Sequence, residues 1–302
     1  MAVYKRAYKP YTGSLTPTWS RFLILPRYAF RTVFRSKILT GYFVLCFVPF
    51  IVSLAIIYLY NNPIARTLIG MREDQNFPFS IGGRFFYYLL RIQAGMAFLL
   101  NIWVGPTLVS PDLVNNALPL YLSRPFSRTE YVIGKMSVLF MLLGGITLIP
   151  DLLLYGIQAT LAGGGWFMSH LDLAGAIVAS SLIWIALMSL LSLAMSAWVK
   201  WRIAASGLLF GFFVVTAGFG AIFNEVVRTY WGKVLNIDYV FSVIWQDLFN
   251  VSTVTGISRR WVGTFREQDV PVGIAWLVLA ALCSAALFML NKRLRAREVV
   301  RG

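Results

Sequence analysis

Residues 182–195 read LIWIALMSLLSLAM, and residues 51–60 read IVSLAIIYLY. Neither run alternates between apolar and polar side chains, so neither suits a strand with one wet face. A hydrocarbon slab about 30 Å thick takes roughly 20 apolar residues as a helix. Each run lies inside a stretch of that length with almost no charge. A transmembrane β-barrel would instead show segments of about 10 residues with alternating polarity.

Working outward, six such stretches appear, over about 39–60, 85–109, 136–161, 174–199, 203–223 and 271–290. The composition agrees: 58% of the 302 residues are hydrophobic, 13% are charged, and the mean hydropathy is +0.70. These values lie outside the range of ordinary soluble domains. The expected fold is therefore an all-α polytopic membrane protein with six transmembrane helices in one domain, 39–302. A basic N-terminal segment, 1–38, precedes it.

The formal net charge of +15 is first a question of sidedness, not of nucleic acid, because Lys and Arg concentrate in cytoplasmic loops. Lys5, Arg6, Lys9, Arg21, Arg27, Arg31, Arg35 and Lys37 precede the first span without an acidic residue. Lys292, Arg293, Arg295, Arg297 and Arg301 follow the last. Both ends are thus expected in the cytoplasm of a multi-pass plasma-membrane protein, a bacterial inner membrane if the source is bacterial. The short tail, 291–302, the loop at Lys200 and Arg202, and the loop with Arg124, Arg128 and Lys135 then share that side. One feature runs against the rule: the segment 224–269, placed outside, carries Arg228, Lys233, Arg259, Arg260 and Arg266.

Within 17–37, Arg27, Arg31 and Arg35 fall on one helical stripe beside Phe30, Val33 and Phe34. That pattern fits an interfacial helix with its aromatic face in the headgroup layer, or an ordinary basic flank. The segment 224–269 contains the apolar stretch 239–249, too short to cross a bilayer. It either dips in and returns or forms an external cap. No cleavable signal peptide is expected, since the first apolar run follows a long basic segment and reaches full spanning length. Cys46 and Cys283 fall inside spans and read as small buried side chains.

Chemistry has little to build on. No GxxxxGK[ST] loop is present, so this chain holds no nucleotide in that manner. With one histidine, His170, His-based catalysis and His-rich metal sites have few ligands to draw on. The chain is read as a non-enzyme with no cofactor of its own. Arg91 and Asp151 lie at comparable depth in the second and third spans, about 7 to 12 Å below the outer edge at 1.5 Å per residue. Such groups usually face a partner or a wet cavity. They are expected to pair with each other, or Arg91 to snorkel to the interface. Gly207 and Gly211 form a GxxxG in the fifth span, which permits close helix approach within or between subunits.

The stretch with most information is 110–135, SPDLVNNALPLYLSRPFSRTEYVIGK. Leu118, Leu120, Tyr121 and Leu122 make an apolar patch on the expected cytoplasmic side. Arg124-Pro125 and Ser127-Arg128 punctuate it with turn chemistry. The patch either receives another protein or packs on the chain's own helix ends. Its part ALPLYLSRPFSRTEYVIGK resembles the cytoplasmic segment of type-2 ABC exporter permeases, where an LLLS-x-P-x-SR-x-E pattern leads into a GK helix start. The tail NKRLRAREVVR and the basic FRSKILTGYF at the first span are similar to theirs too.

The resemblance implies a permease subunit of an ATP-driven exporter, whose ATP and Mg are bound by separate cytosolic ATPase subunits. In that family the segment is a coupling helix seated in an ATPase cleft, and two permeases, identical or related, work with two ATPases. Asp112, Asn116, Leu118, Leu122, Arg124, Pro125, Arg128 and Glu130 are the corresponding contact candidates. The pattern departs at Asp112, where family members often carry a longer acidic residue. The first and fifth spans form the family's dimer interface, which assigns Gly207 and Gly211 to it. The other partners are membrane lipids, and no nucleic acid is expected. Two further readings stay open: a membrane enzyme acting on lipid, and a structural subunit of a larger complex.

Overall fold

The computed structural model describes residues 24–68, 80–115, 128–199, 201–251 and 270–294. Every regular element among them is helical, and six helices are long and apolar enough to cross a membrane. The protein is an all-α, multi-pass membrane protein. The six spans are Lys37–Asn61, Gly83–Asp112, Thr129–Ala162, Leu171–Trp198, Arg202–Val227 and Val272–Arg293. Each coincides with one of the stretches expected from sequence.

Before the first span lies α1 (Ile24–Val33). Its Arg27 and Arg31 are exposed while Val33 is buried and Leu25, Ala29 and Phe30 pack on the core. The amphipathic helix expected over 17–37 is therefore present from Ile24, and 17–23 lie outside the described residues.

Three of the spans are broken, each next to a proline that cannot donate to the carbonyl four residues back. The first span divides into α2 (Lys37–Leu45) and α3 (Val48–Asn61), with Pro49 in the first turn of α3. A short α4 (Pro63–Leu68) follows it. The second divides into α5 (Gly83–Val104) and α6 (Pro106–Val114). Pro106 leaves the Ile102 carbonyl free, and Ser206 Oγ donates to it at 2.8 Å from the fifth span. The third divides at Thr147 into α7 (Arg128–Ile146) and α8 (Leu148–Ala162), with Pro150 just past the break. The one-turn α9 (Gly164–Ser169) then leads into the fourth span, α10 (Leu171–Trp198).

The centre of the bundle is α10. Of its most apolar window 72% is buried, against 11% for the fifth span, α11 (Arg202–Val227). Around α10 pack α5 to α8 and the last span, α13 (Val272–Leu294). At one end of the bundle, Arg293 Nε donates to Ala197 O at 3.2 Å and its guanidinium lies over the Trp198 ring. The basic end of α13 thereby caps the last turn of α10, where free carbonyls favour a cation. This end also carries α1 and the start of α7, and is called the α1 end below.

At the opposite end the chain re-enters. After α11, Arg228 takes a left-handed conformation (φ 52°), and a 3₁₀ turn over Trp231–Leu235 folds back against α11. Gly232 N–H donates to Asn224 Oδ1 at 2.7 Å. The Gly220 and Gly232 backbones touch so closely that a Cβ on either would strike the other's carbonyl. From there α12 (Ile237–Leu248) starts on an Asn236 cap, whose Oδ1 accepts from Tyr239 N–H at 3.2 Å.

The helix α12 runs antiparallel to α5. Asp238 meets Arg91, Gln246 meets Tyr87, and Phe249 O lies against Gly83. Arg91 is eight residues below Gly83, about 12 Å along the helix at 1.5 Å per residue. The apolar stretch 239–249 therefore forms a helix that rises from inside the bundle back to its rim.

Candidate functional site

Three features of the bundle bear on function: the stems of the 110–135 segment, the open face of α11, and the polar groups of the re-entrant unit. The stems come first because the sequence pointed there. Asp112, in the last turn of α6, receives two partners from the first two turns of α7. Lys135 Nζ lies 2.8 Å from its Oδ2, and Tyr131 O–H donates to the same oxygen at 2.8 Å. The ammonium also sits 5.5 Å from the centroid of the Tyr131 ring. With side chains only 11% and 16% exposed, this pair is little screened by solvent.

Two residues before Asp112, Ser110 N–H donates to Ser196 Oγ at 2.9 Å, and Ser110 Oγ donates to the Ser196 carbonyl at 3.1 Å and to that of Val199. Ser196 Oγ in turn donates to Pro106 O at 2.8 Å, the carbonyl four residues before Ser110, whose N–H is the one given to Ser196 Oγ. Two stems and the end of the central helix are thus fastened at one point. Here Gly105 allows α5/α6 to approach α10, since a Cβ there would stand 2.7 Å from Ser192 Oγ.

Of the sequence-predicted contact residues, Asp112 faces inward into this clasp, and Glu130 is half-buried on the first turn of α7. Asn116, Leu118, Leu122, Arg124 and Pro125 lie outside the described residues, as does the side chain of Arg128. Sequence reasoning did not find Lys135 or Tyr131 as partners of Asp112. Both fall in the quoted TEYVIGK run, at helical spacing i and i+4.

Gly207 and Gly211 lie on a side of α11 where an added Cβ would meet nothing within 4 Å. Around them Ile203, Leu208, Phe210, Val214, Val215, Phe219 and Ile222 are exposed. Buried residues of α11 are confined to Ala205, Leu209 and Gly220. A GxxxG used within the subunit would show a neighbour against it, and among the described residues none is there.

The expected Arg91–Asp151 pair is corrected. Arg91 donates from Nη2 to Asp238 Oδ2 at 2.7 Å and from Nη1 to Tyr87 O–H at 3.0 Å. Gln246 Nε2 donates to the same Tyr87 oxygen at 3.2 Å. The two side chains are 40% and 67% exposed, so the pair lies on the outer surface of the bundle and not in its core. Asp151 instead faces the core and is fully buried. The faces that the two helices turn are not legible from spacing, because the partner of Arg91, Asp238, is 147 residues away in sequence.

Beside the re-entrant turn is a cavity of about 800 Å³ between α11 and Trp231–Leu235, lined by Asn224, Glu225, Arg228, Lys233, Asn236 and Tyr239 among others. It holds charges of both signs. No protein-family model matches the chain, and no curated protein matches its sequence.

Proposed function

We propose that this chain is the membrane-spanning permease subunit of an ATP-driven ABC exporter, working with a second permease and separate cytosolic ATPases. The observation that carries the reading is the clasp. The 117–135 run resembles the coupling segment of type-2 ABC exporters, and its two stems are tied by Asp112, Lys135 and Tyr131. The Ser110–Ser196 bonds tie the same point to the central helix. A displacement of either stem is then passed to α10 through these bonds. Rigid packed elements of this kind are what convert a local displacement into a bundle rearrangement.

The open face of α11 supports the second half of the reading. Close helix association in lipid is driven by packing between small residues rather than by a hydrophobic drive, and Gly207 and Gly211 sit on that face. Residues of this chain would then form the pathway and change nothing in the cargo chemically.

The test is purification of the tagged chain from its own host membrane, with the recovered material assayed for ATP hydrolysis. Co-purifying ATPase is expected with the unaltered chain. It should be lost on Arg124→Glu or Leu122→Asp, while the thermal unfolding of the permease stays unchanged. Retention of the ATPase by both variants would remove the proposed docking role, and absence of ATPase from the unaltered complex would remove the exporter reading.

A further inference from the structure

Asp151 is a buried ionisable group for which neither the fold nor the exporter reading has a use. It sits in the first turn of α8, next to Pro150 and the helix break, and is 0% exposed. Among the described residues it makes no ion pair, and neither carboxyl oxygen has a hydrogen bond of ordinary geometry. Gln93 of α5 lies beside it. Gln93 is also 0% exposed, and its Nε2 and Oε1 are both without partners.

Helix register brings two hydroxyls to the same level. Asn101 Nδ2 donates to Met188 O, and Gly105 abuts Ser192, so α5/α6 and α10 run parallel, offset by 87 residues at these two positions. Carried two turns along, that register sets Gln93 level with Ser180. The hydroxyls of Ser180 and Ser181 are both buried and unpartnered.

Charge around the cluster is sparse. The helices α3 and α9 carry no ionisable Asp, Glu, Lys, Arg or His, and Asp151 is the single such residue of α8. On α10 the charged residue is Asp172, in its first turn. On α7, Arg128, Glu130 and Lys135 lie at the α1 end, with Lys135 held by Asp112. On α5, Arg84 is near the rim and Arg91 is held by Asp238. Tyr155, one turn beyond Asp151, donates its O–H to Phe167 O. Nor does the start of α8 supply a bare positive pole, because the C-terminus of α7 abuts it and the two dipole ends oppose.

Hydrogen-bond chemistry then distinguishes the two forms of the carboxyl. An ionised carboxylate only accepts. It would take one N–H from Gln93, leave the amide oxygen facing its second oxygen, and keep a charge with no cation in a dry core. A carboxylic acid donates its O–H to Gln93 Oε1 and accepts from Gln93 Nε2. That two-point ring satisfies all four orphan atoms and leaves no net charge.

We propose that Asp151 and Gln93 form a proton-binding site in the membrane core. The ligand is a proton taken from water onto a carboxyl oxygen and held against Gln93 Oε1, with Ser180 and Ser181 as the hydroxyls through which it exchanges. The site stands independently of the exporter reading, and its readout needs neither ATPase nor cargo.

The experiment is infrared spectroscopy of the full-length protein in lipid nanodiscs, in H₂O and D₂O, with and without ¹³C-labelled aspartate. At neutral pH the unaltered protein should show a carboxylic C=O band that shifts with the label and with deuteration. The band should be lost in Asp151→Asn and move to higher frequency in Gln93→Leu, where its hydrogen bond is gone. Asp151→Asn should also keep the thermal stability of the unaltered protein, since an amide rebuilds the same ring. Three results would each overturn the site: no aspartate-dependent carboxylic band at neutral pH, a band that Gln93→Leu leaves in place, or a band abolished when sodium chloride replaces choline chloride. The last would make it a metal-cation site. If Asp151→Asn does not fold, the isotope label and Gln93→Leu still decide.

Discussion

Lys135 Nζ and Asp112 Oδ2 stand 2.8 Å apart, at the facing ends of two helices that the 116–127 segment joins. Removing one partner of such a pair leaves the other charged and poorly hydrated. That costs about 3–5 kcal/mol for a fully buried pair; with exposures of 11% and 16% we expect about 2 kcal/mol for Asp112→Asn or Lys135→Met. The paired change Asp112→Leu with Lys135→Met should be less destabilised than the sum of the single changes, as coupled neighbours are. Thermal unfolding in detergent checks this, and strict additivity would mean that the clasp carries no coupling.

The ion pair of Arg91 gives a charge-swap test with two arms. Arg91→Asp or Asp238→Arg alone should lower the unfolding temperature, and the double exchange should recover most of the loss. The exposure of both side chains limits the effect to about 1 kcal/mol, as for other open pairs. Combining Arg91→Asp with Asp151→Arg should recover nothing, because Asp151 is buried in the core and the partner of Arg91 is Asp238. Recovery in that second arm alone would reverse the assignment made from the structure.

The contrast between these residues marks what a linear reading reaches. Span positions were legible because crossing a hydrocarbon layer requires a run of apolar side chains, a purely local property. The third span begins earlier than its apolar run, at Thr129 instead of Met136, since a helix continues past the hydrocarbon edge wherever its polar turns find partners, here Tyr131 and Lys135 on Asp112. The stretch 239–249 was legible as too short to cross. Its partners Arg91, Tyr87 and Gly83 were not, because pairing between distant segments leaves no periodicity in either. The helix breaks at Pro49, Pro106 and Pro150 had a visible cause, since each proline stands inside one of the apolar runs.

Glycines separate positions that need the absence of a side chain from positions that tolerate one. A Cβ at Gly220 or Gly232 would meet the other's carbonyl, so Gly220→Ala and Gly232→Ala should each destabilise the re-entrant turn by about 1–3 kcal/mol, the usual cost of overpacking. Gly218→Ala, where nothing lies within 4 Å, serves as the control and should leave the unfolding temperature unchanged or slightly raised, since Ala is the better helix former. Equal destabilisation at Gly218 and Gly220 would show that the close approach to Gly232 is not the cause.

Gly207 and Gly211 provide the sharpest separation between fold and assembly. Nothing within 4 Å would meet an added Cβ at either position, and Ala is a better helix former than Gly by about 1 kcal/mol. Gly207→Ala and Gly211→Ala should therefore leave the isolated subunit as stable as before or slightly more so. If a second permease packs against this face, the larger Gly207→Leu and Gly211→Leu should push the two backbones apart and shift the protein from dimer to monomer, as read by mass photometry in nanodiscs. The far-ultraviolet circular dichroism of the monomer should be unchanged, because the substituted side chains project away from its core. A dimer that persists through both Leu substitutions would move the subunit interface off α11.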